Sequence, residues 1–448
     1  MGISSSLNAG VSGLNANSNK LATISDNIAN SQTNGYKRAD MDFSSLTVND
    51  SRGAYTVGGG RGYGAGGVAT SAMFDIEAKG AITGTTNSTD IAIAGRGLLP
   101  VTSLASVGQT AVTQDLKLTS TGSFELNADG YLTTQSGLVL LGWPADATGE
   151  VAEFPRDTSS SLEAIHVNLS GSASRPTSNI VLSANLPATS TMSGADGDVE
   201  AMTVEYFDNL GTSQSLALSF TPSVPASGAS NAWTLDLVDQ ASGLSAGSYE
   251  LTFSAGAGNA GNLLSVGQLS AGSAPPSTSY DDATGVLTLE LADQTITMQI
   301  GSTDPAGSHY LTQLSTVFST SGVTKDGNAA GTFTGLSIDE KGYLSANYST
   351  GFSRVIYQVP VADVPNMNGL RVLDNQSFAV SPQSGAVFLY DAGSGPAGSI
   401  EGFALEQSTT DTAQELTQLI QTQRAYSSNA KIIQTVDEML QETTNLKR

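Results

Sequence analysis

The sequence predicts an α+β fold with a nested layout: a helix at each end, mainly β structure between them, and one β domain inserted into another. Three observations predict it. Apolar residues recur at heptad spacing near both termini, strand-like alternation fills the middle, and charge is distributed in blocks. The terminal helices are expected to pair in a coiled-coil-like inner domain, with two mainly-β domains outside it.

In the N-terminal helix, Leu7, Leu14, Leu21 and Ile28 are seven apart, with Val11 between the first two. Ile3 and Ile24 occupy the interleaved heptad position, whose other members, Gly10 and Asn17, interrupt the seam with small or polar side chains. Toward the other terminus, Leu419, Tyr426, Ile433 and Leu440 repeat the spacing, and Leu416 and Ala430 fall on the partner position. Asp411 or Thr412 is placed to cap this second helix, with Glu415 positioned for a capping box with Thr412. Neither helix carries enough apolar surface to outweigh its ordering entropy alone, so the two are expected either to pack on a globular body or to pair with each other and with copies from other chains.

Between the helices, alternating runs at 202–207, 216–220, 233–238, 249–253, 286–291 and 296–300 read as strands of a sandwich or barrel. Two similar hairpins flank them, TGSFELNADGYL at 121–132 and TGLSIDEKGYL at 334–344, turning at Asp129-Gly130 and Lys341-Gly342. Charge marks the insertion. The chain of 448 residues has a net charge of −23, yet residues 1–70 carry +1 and 411–448 carry −1. Residues 176–324 hold 13 acidic residues and no Lys or Arg. The expected domains are therefore a helical domain from 1–30 and 411–448, a connector at 31–70, an inner β domain from 71–175 and 325–410, and an inserted outer β domain at 176–324.

The acidic balance argues against nucleic acid as a partner, because phosphate binding needs clustered cations. With no Cys and only His166 and His309, there is no disulfide, no thiolate zinc site and no His-rich metal site. No stretch approaches a membrane helix, and residues 1–30 lack the apolar core of a cleaved secretory signal. The glycine run GGGRGYGAGG at 58–67 has neither the strand before it nor the Lys-Ser/Thr after it of a phosphate loop, and reads as a compliant connector. Asp196, Asp198 and Glu200 alternate, but Ala201 stands where a calcium loop needs Gly and Phe207 where it needs Glu. No catalytic residue, metal site or cofactor is expected, and the chain reads as a non-enzyme.

The two ends together resemble the flagellar rod, hook and hook-junction protein family. Residues 11–38 are similar to its N-terminal signature through Asn27, Ile28, Ala29, Asn30, Thr33, Gly35, Tyr36 and Lys37. Residues 415–446 resemble its C-terminal helix through Glu415, Leu416, Gln423, Arg424, Ala425, Tyr426, Asn429, Ala430, Ile433 and Asp437. Within the family the middle is most similar to hook subunits, at 81–97, 121–146, 203–211 and 334–351; Leu98-Leu99 depart from the usual aromatics. The resemblance implies a structural subunit that leaves the cell through the flagellar type III export apparatus without a cleaved signal. It implies a helical homopolymer, a curved tube that joins rod to filament as a universal joint. The implied partners are other copies of the chain, the distal rod protein, the hook–filament junction protein and the hook cap, with no nucleic acid and no membrane insertion. Sibling axial proteins of the rod or junction share the terminal motifs. A secreted acidic, β-rich, calcium-binding adhesin is the reading from another class.

Overall fold

Helix α1 (Ile3–Ala29) and helix α2 (Thr412–Asn445) stand at the two ends of a chain that is otherwise mostly β. The computed structural model describes residues 3–48, 64–107, 116–146, 148–169, 172–272, 275–304 and 307–445. Asp411 caps α2, its Oδ1 accepting the backbone N–H groups of Ala413 and Gln414 at 2.9 and 3.2 Å. Glu415 does not close the expected capping box. Its side chain is fully buried and accepts from Arg38 Nε at 2.5 Å, because the first turn of α2 faces the segment that leaves α1. No helix among the described residues is long and apolar enough to cross a membrane.

Contacts divide the chain into two compact units. Unit 1 takes residues up to 169, 335–346 and 353 onward; unit 2 takes 170–334 and 347–352. The expected boundaries at 175 and 325 fall inside unit 2, because Ser172–Arg175 pairs with the Asn328–Ile338 strand. The charge step marks where cations stop, not where strands stop pairing. Both terminal helices belong to unit 1 together with its β body.

In unit 1 the β body is built from both sides of the insertion. Asp90–Ala94 lies between Thr121–Leu126 and Ser399–Gly402. Lys117–Thr119 lies between Leu99–Ser103 and Ser377–Ala379. Leu138–Pro144, an unbroken apolar run, is almost wholly buried. A core of Leu98, Leu118, Leu141, Trp143, Met367 and Phe378 fills the interior.

Part of the expected connector is a hairpin. Strand β1 (Ala39–Val48) pairs antiparallel with β2 (Gly64–Phe74). Residues 58–63 of the glycine run lie outside the described residues, and Gly64–Gly67 open β2. Gly67 has φ +91° and passes so close to α1 that a Cβ there would stand 2.2 Å from Ser12 Oγ.

Unit 2 is a sandwich. Five antiparallel strands run in the order Glu200–Phe207, Ser213–Pro222, Ala232–Asp239, Leu244–Phe253 and Leu263–Ser270. A six-stranded sheet centred on Asn179–Pro187 covers them. Leu218, Phe220, Trp233, Leu235 and Tyr249 from one sheet meet Leu182, Leu186, Leu289, Met298 and Leu311 from the other in one core.

Four turns use one local device. Asn127, Asp146, Asp208 and Asp339 each stand three residues before a glycine of positive φ: Gly130, Gly149, Gly211 and Gly342. In each, the side-chain Oδ1 accepts backbone N–H groups two and four residues on, for example from Lys341 and Tyr343 to Asp339 at 3.0 and 2.8 Å. The acid or amide holds the turn and the glycine supplies its left-handed residue.

Candidate assembly interface at the paired chain ends

Helices α1 and α2 run antiparallel, with Gly10 against Ile433 and Gly13 against Asn429. A Cβ at Gly13 would lie 2.8 Å from Asn429 Nδ2, and one at Gly10 would lie 3.1 Å from Ile433 Cγ1. The absent side chains let the two backbones approach closely.

The buried rows differ from the expected seam. On α1 they are Gly10, Ala16, Ile24 and Asn27, while Leu7, Leu14, Leu21 and Ile28 are half-buried and Val11 is exposed. Ile3 begins the helix, and its side chain lies outside the described residues. On α2 the buried residues are Glu415, Thr422 and Val436. Leu419, Ala430 and Ile433 are half-buried, and Leu416, Tyr426 and Leu440 are exposed. Of the positions that read as breaks in the heptads, Gly10 thus lies in the contact within the chain, against Ile433, and Gly13 joins it against Asn429. Heptad counting favours large apolar residues, whereas close antiparallel packing favours small ones. Exposed apolar residues remain on α2 at Leu416 (53% exposed), Ile420, Tyr426, Ile432, Met439 and Leu440.

Below the helix pair, the residues of the N-terminal motif build a joint. Helix α1 ends at Ala29, and Asn30 turns the chain, its Oδ1 accepting from Thr33 Oγ1 at 3.1 Å. Asn27 is buried and reads the backbone of Ala39 in both directions, Nδ2 donating to Ala39 O at 2.8 Å and Oδ1 accepting from Ala39 N at 3.0 Å. Tyr36 donates its hydroxyl to Asn27 Oδ1 at 3.0 Å. Burial, and then the Asp26 carboxylate, push that hydroxyl's pKa well above its ordinary value, so it stays a donor. Gly35, at φ +71°, donates its N–H to Glu406 O at 2.8 Å and packs against Thr121.

Two ion pairs tie this segment to the C-terminal side of the chain. Lys37 Nζ meets Glu406 Oε1 at 2.7 Å, with both side chains no more than 2% exposed. The same ammonium donates to Ala78 O at 2.7 Å, and Gly80 N–H donates to the same Glu406 oxygen at 2.7 Å. Arg38 binds Glu415 at the start of α2, and its backbone N–H donates to Thr409 Oγ1 at 2.8 Å. Burial works to lower the Arg38 pKa, but the Glu415 carboxylate outweighs it and holds the guanidinium firmly charged. Lys79 completes the cluster, its Nζ donating to Gly97 O at 3.2 Å. Enclosure of its ammonium, and then the charge of Lys37, bring its pKa down to about 8.

Sequence reasoning found Asn27, Asn30, Thr33, Gly35, Tyr36 and Lys37 but not their partners: Ala78, 41 residues beyond Lys37, and Glu406 and Thr409, which pair only through the return of the chain. Gln423 and Arg424 do not join this joint. They are exposed and line a shallow hollow on α2 with Ile420, Ser427 and Lys431. His166 packs edge-on against Tyr131, their ring centroids 4.9 Å apart in unit 1, while His309 belongs to unit 2. Among the described residues no group of three or more His, Cys, Asp or Glu is placed to hold a metal ion.

The two ends that meet at this joint are also the segments that family models of flagellar axial proteins match. The family described as flagella basal body rod protein matches residues 7–37, and the flagellar basal body rod FlgEFG protein C-terminal family matches 402–446. The flagellar hook protein FlgE of Rhizobium meliloti is 33% identical, over the whole of both chains. That of Brucella suis is 31% identical, over 99% of this chain and 98% of its own. Among solved structures, flagellar hook protein FlgE2 of Helicobacter pylori aligns with a TM-score of 0.48 at 14% identity, covering 72% of this chain and 100% of that one. The chain belongs to the flagellar hook protein FlgE family.

Proposed function

We propose that this chain is the structural subunit of the bacterial flagellar hook, polymerising through α1 and α2 into a curved tube that joins rod to filament and transmits torque. One observation carries the polymer reading. Pairing of the two helices sets Gly10 against Ile433 and Gly13 against Asn429, and leaves Leu416, Ile420, Tyr426, Ile432 and Met439 exposed along α2. A chain with its own helices already paired still presents an apolar surface, and copies packed side by side would cover it. The partners that follow are other copies of the chain, the distal rod protein, the hook–filament junction protein, the hook cap and the export apparatus. Delivery to the flagellum proceeds without a cleaved signal. The function is mechanical, without catalysis or a cofactor.

In this reading the terminal helices form an inner coiled-coil-like domain, the body of unit 1 surrounds it, and unit 2 is the outer domain. The test is Leu416→Asp with Ile420→Asp. Both residues are about half exposed in the single chain, so its fold should survive. Burying the exposed half of a Leu or Ile is worth about 0.75–1.5 kcal/mol each, so losing both should raise the subunit concentration needed for assembly by roughly tenfold to a hundredfold. Sedimentation and electron microscopy read the loss of tubes, and circular dichroism checks that the chain remains folded. Tubes forming at the unsubstituted concentration would refute the reading.

A further inference from the structure

The sequence has two Asn-Gly pairs, Asn34-Gly35 and Asn368-Gly369. Asparagine before glycine is chemically labile, because a glycine carries no side chain to keep its nitrogen away from the asparagine Cγ. Attack by that nitrogen forms a new N–C bond and closes a succinimide; the Cγ–N bond of the amide breaks, and ammonia leaves with the proton of the backbone N–H. Water then opens the ring at either carbonyl, giving aspartate or isoaspartate. In isoaspartate the main chain runs through the former side chain and is longer by one carbon. Asn368 is restrained through its own side chain, whose Oδ1 accepts the N–H groups of Ile76 and Glu77 at 2.8 and 3.2 Å. Its Gly369 N–H is bonded locally, to Asn366 O at 3.1 Å.

Asn34 is placed differently. It is exposed, and its side chain has no partner among the described residues. It lies in the turn closed by Tyr36 N–H donating to Thr33 O at 3.2 Å. What restrains it is the attacking atom: Gly35 is buried, and its N–H is donated to Glu406 O at 2.8 Å. Glu406 ends the strand Ala404–Glu406, which pairs with Ile82–Gly84. The nitrogen is therefore engaged only after the C-terminal side of the chain has returned. The joint cannot dispense with this glycine, since a Cβ at position 35 would stand 2.8 Å from Thr121 Cγ2 and φ is +71°. Close packing thus requires the residue that makes Asn34 labile. We propose that Asn34 is a self-modification site gated by the joint: it converts to aspartate and isoaspartate while the chain is open, and is protected once Ala404–Glu406 docks. Isoaspartate lengthens the backbone just before Gly35, so the bond to Glu406 O and the buried Lys37–Glu406 pair lose their common register. A chain left open too long is thereby made unable to close. The gate stands without the polymer; its consequence for assembly rests on that reading.

The test incubates the full-length chain at mildly alkaline pH, native and in guanidinium chloride, and digests it with trypsin. Cleavage after Lys20 and Lys37 releases the peptide 21–37, in which Asn27 and Asn30 serve as internal controls for Asn34. Mass spectrometry locates the change from amide to acid, and isoaspartyl methyltransferase counts the isoaspartate. In denaturant Asn34 should convert faster than Asn27 and Asn30. In the native chain it should convert at least roughly tenfold more slowly, since a closed group reacts only through its open fraction. Thr409→Val removes the acceptor of the Arg38 N–H and should raise the native rate at Asn34 roughly fivefold, the effect of one lost hydrogen bond, without changing Asn368. Equal native and denatured rates at Asn34, or a Thr409→Val effect equal at both sites, overturns the gate. For the consequence, chain aged in denaturant is refolded and allowed to assemble. Isoaspartate at position 34 should stay in the supernatant, whereas the Asn34→Asp variant, which adds the charge without the extra carbon, should enter tubes. Isoaspartate equally abundant in tubes and supernatant overturns the loss of closure. Failure of fresh, unsubstituted chain to form tubes overturns the polymer reading, while the two rates still decide the gate.

Discussion

Replacing Glu406 by Gln should destabilise unit 1 more than replacing its partner Lys37 by Met. The two form a buried pair at 2.7 Å, and removing one member of such a pair costs about 3–5 kcal/mol, because the other is left charged and unpaired. The neighbours make the two losses unequal. After Lys37→Met, Glu406 keeps the Gly80 N–H, and the nearby Lys79 charge still attracts it, so the cost falls near about 3 kcal/mol. After Glu406→Gln, Lys37 keeps the Ala78 carbonyl but has lost its counter-charge and still faces Lys79, so the cost rises toward about 5 kcal/mol. The double variant Lys37→Met/Glu406→Leu removes both charges and should recover most of the loss, short of about 1–3 kcal/mol for the orphaned Gly80 N–H. The chain has two tryptophans, Trp143 in unit 1 and Trp233 in unit 2. Urea unfolding followed by fluorescence in a Trp233→Phe background therefore reports on unit 1. A Glu406→Gln cost within about 1 kcal/mol of zero, the range of solvated surface pairs, would refute the argument. So would a reversed order of the two single variants.

Lys79 gives a pH signature. Its folded pKa of about 8 lies below the ordinary 10.5, so between those values the unfolded chain holds a proton that the folded chain has released, and stability should rise with pH across that window. Lys79 is exposed as a whole residue, so water screens the effect and the slope is small; Lys79→Met should flatten it in unfolding curves taken from pH 7.5 to 10.5. Deleting 172–334 behind a short Gly-Ser linker should leave a subunit that still forms tubes, with curvature that no longer responds to salt. A shortened subunit that forms no tube would place unit 2 in the assembly core.

The sequence made the helices and the strands of unit 2 with regular alternation legible. Glu200–Phe207, Ser213–Pro222, Ala232–Asp239 and Leu244–Phe253 contain the expected runs, because each alternates between core and solvent. Leu263–Ser270 was not legible, since two bulges in eight residues destroy the period of two. Asn179–Pro187 was missed for another reason: its last residues are buried on successive positions, which periodicity cannot assign to a strand. At the joint, family motifs supplied one half of each contact. The partners of Lys37 and Arg38 lie more than 360 residues away, at Glu406 and Glu415, and only the folded chain brings them near.

The helix seam raises the question of why α1 keeps Gly10 and Gly13 in its interior. Each glycine there costs about 1 kcal/mol of helix stability relative to alanine. If the glycines are retained for close approach, their effect must depend on the residue opposite. Alanine at position 13 gains the propensity, but its Cβ would stand 2.8 Å from Asn429 Nδ2, so the amide has to move or the helices have to part. Gly13→Ala alone should therefore leave the stability of α1 unchanged or lower it. In an Asn429→Ala background the obstruction is gone, and the same substitution should stabilise α1 by about 1 kcal/mol. The difference between the two backgrounds is the coupling, which hydrogen exchange of the α1 amides reads directly. An equal effect in both backgrounds would mean that Gly13 does not set the approach of the two helices. The glycine opposite Asn429 would then be a passive feature of the seam.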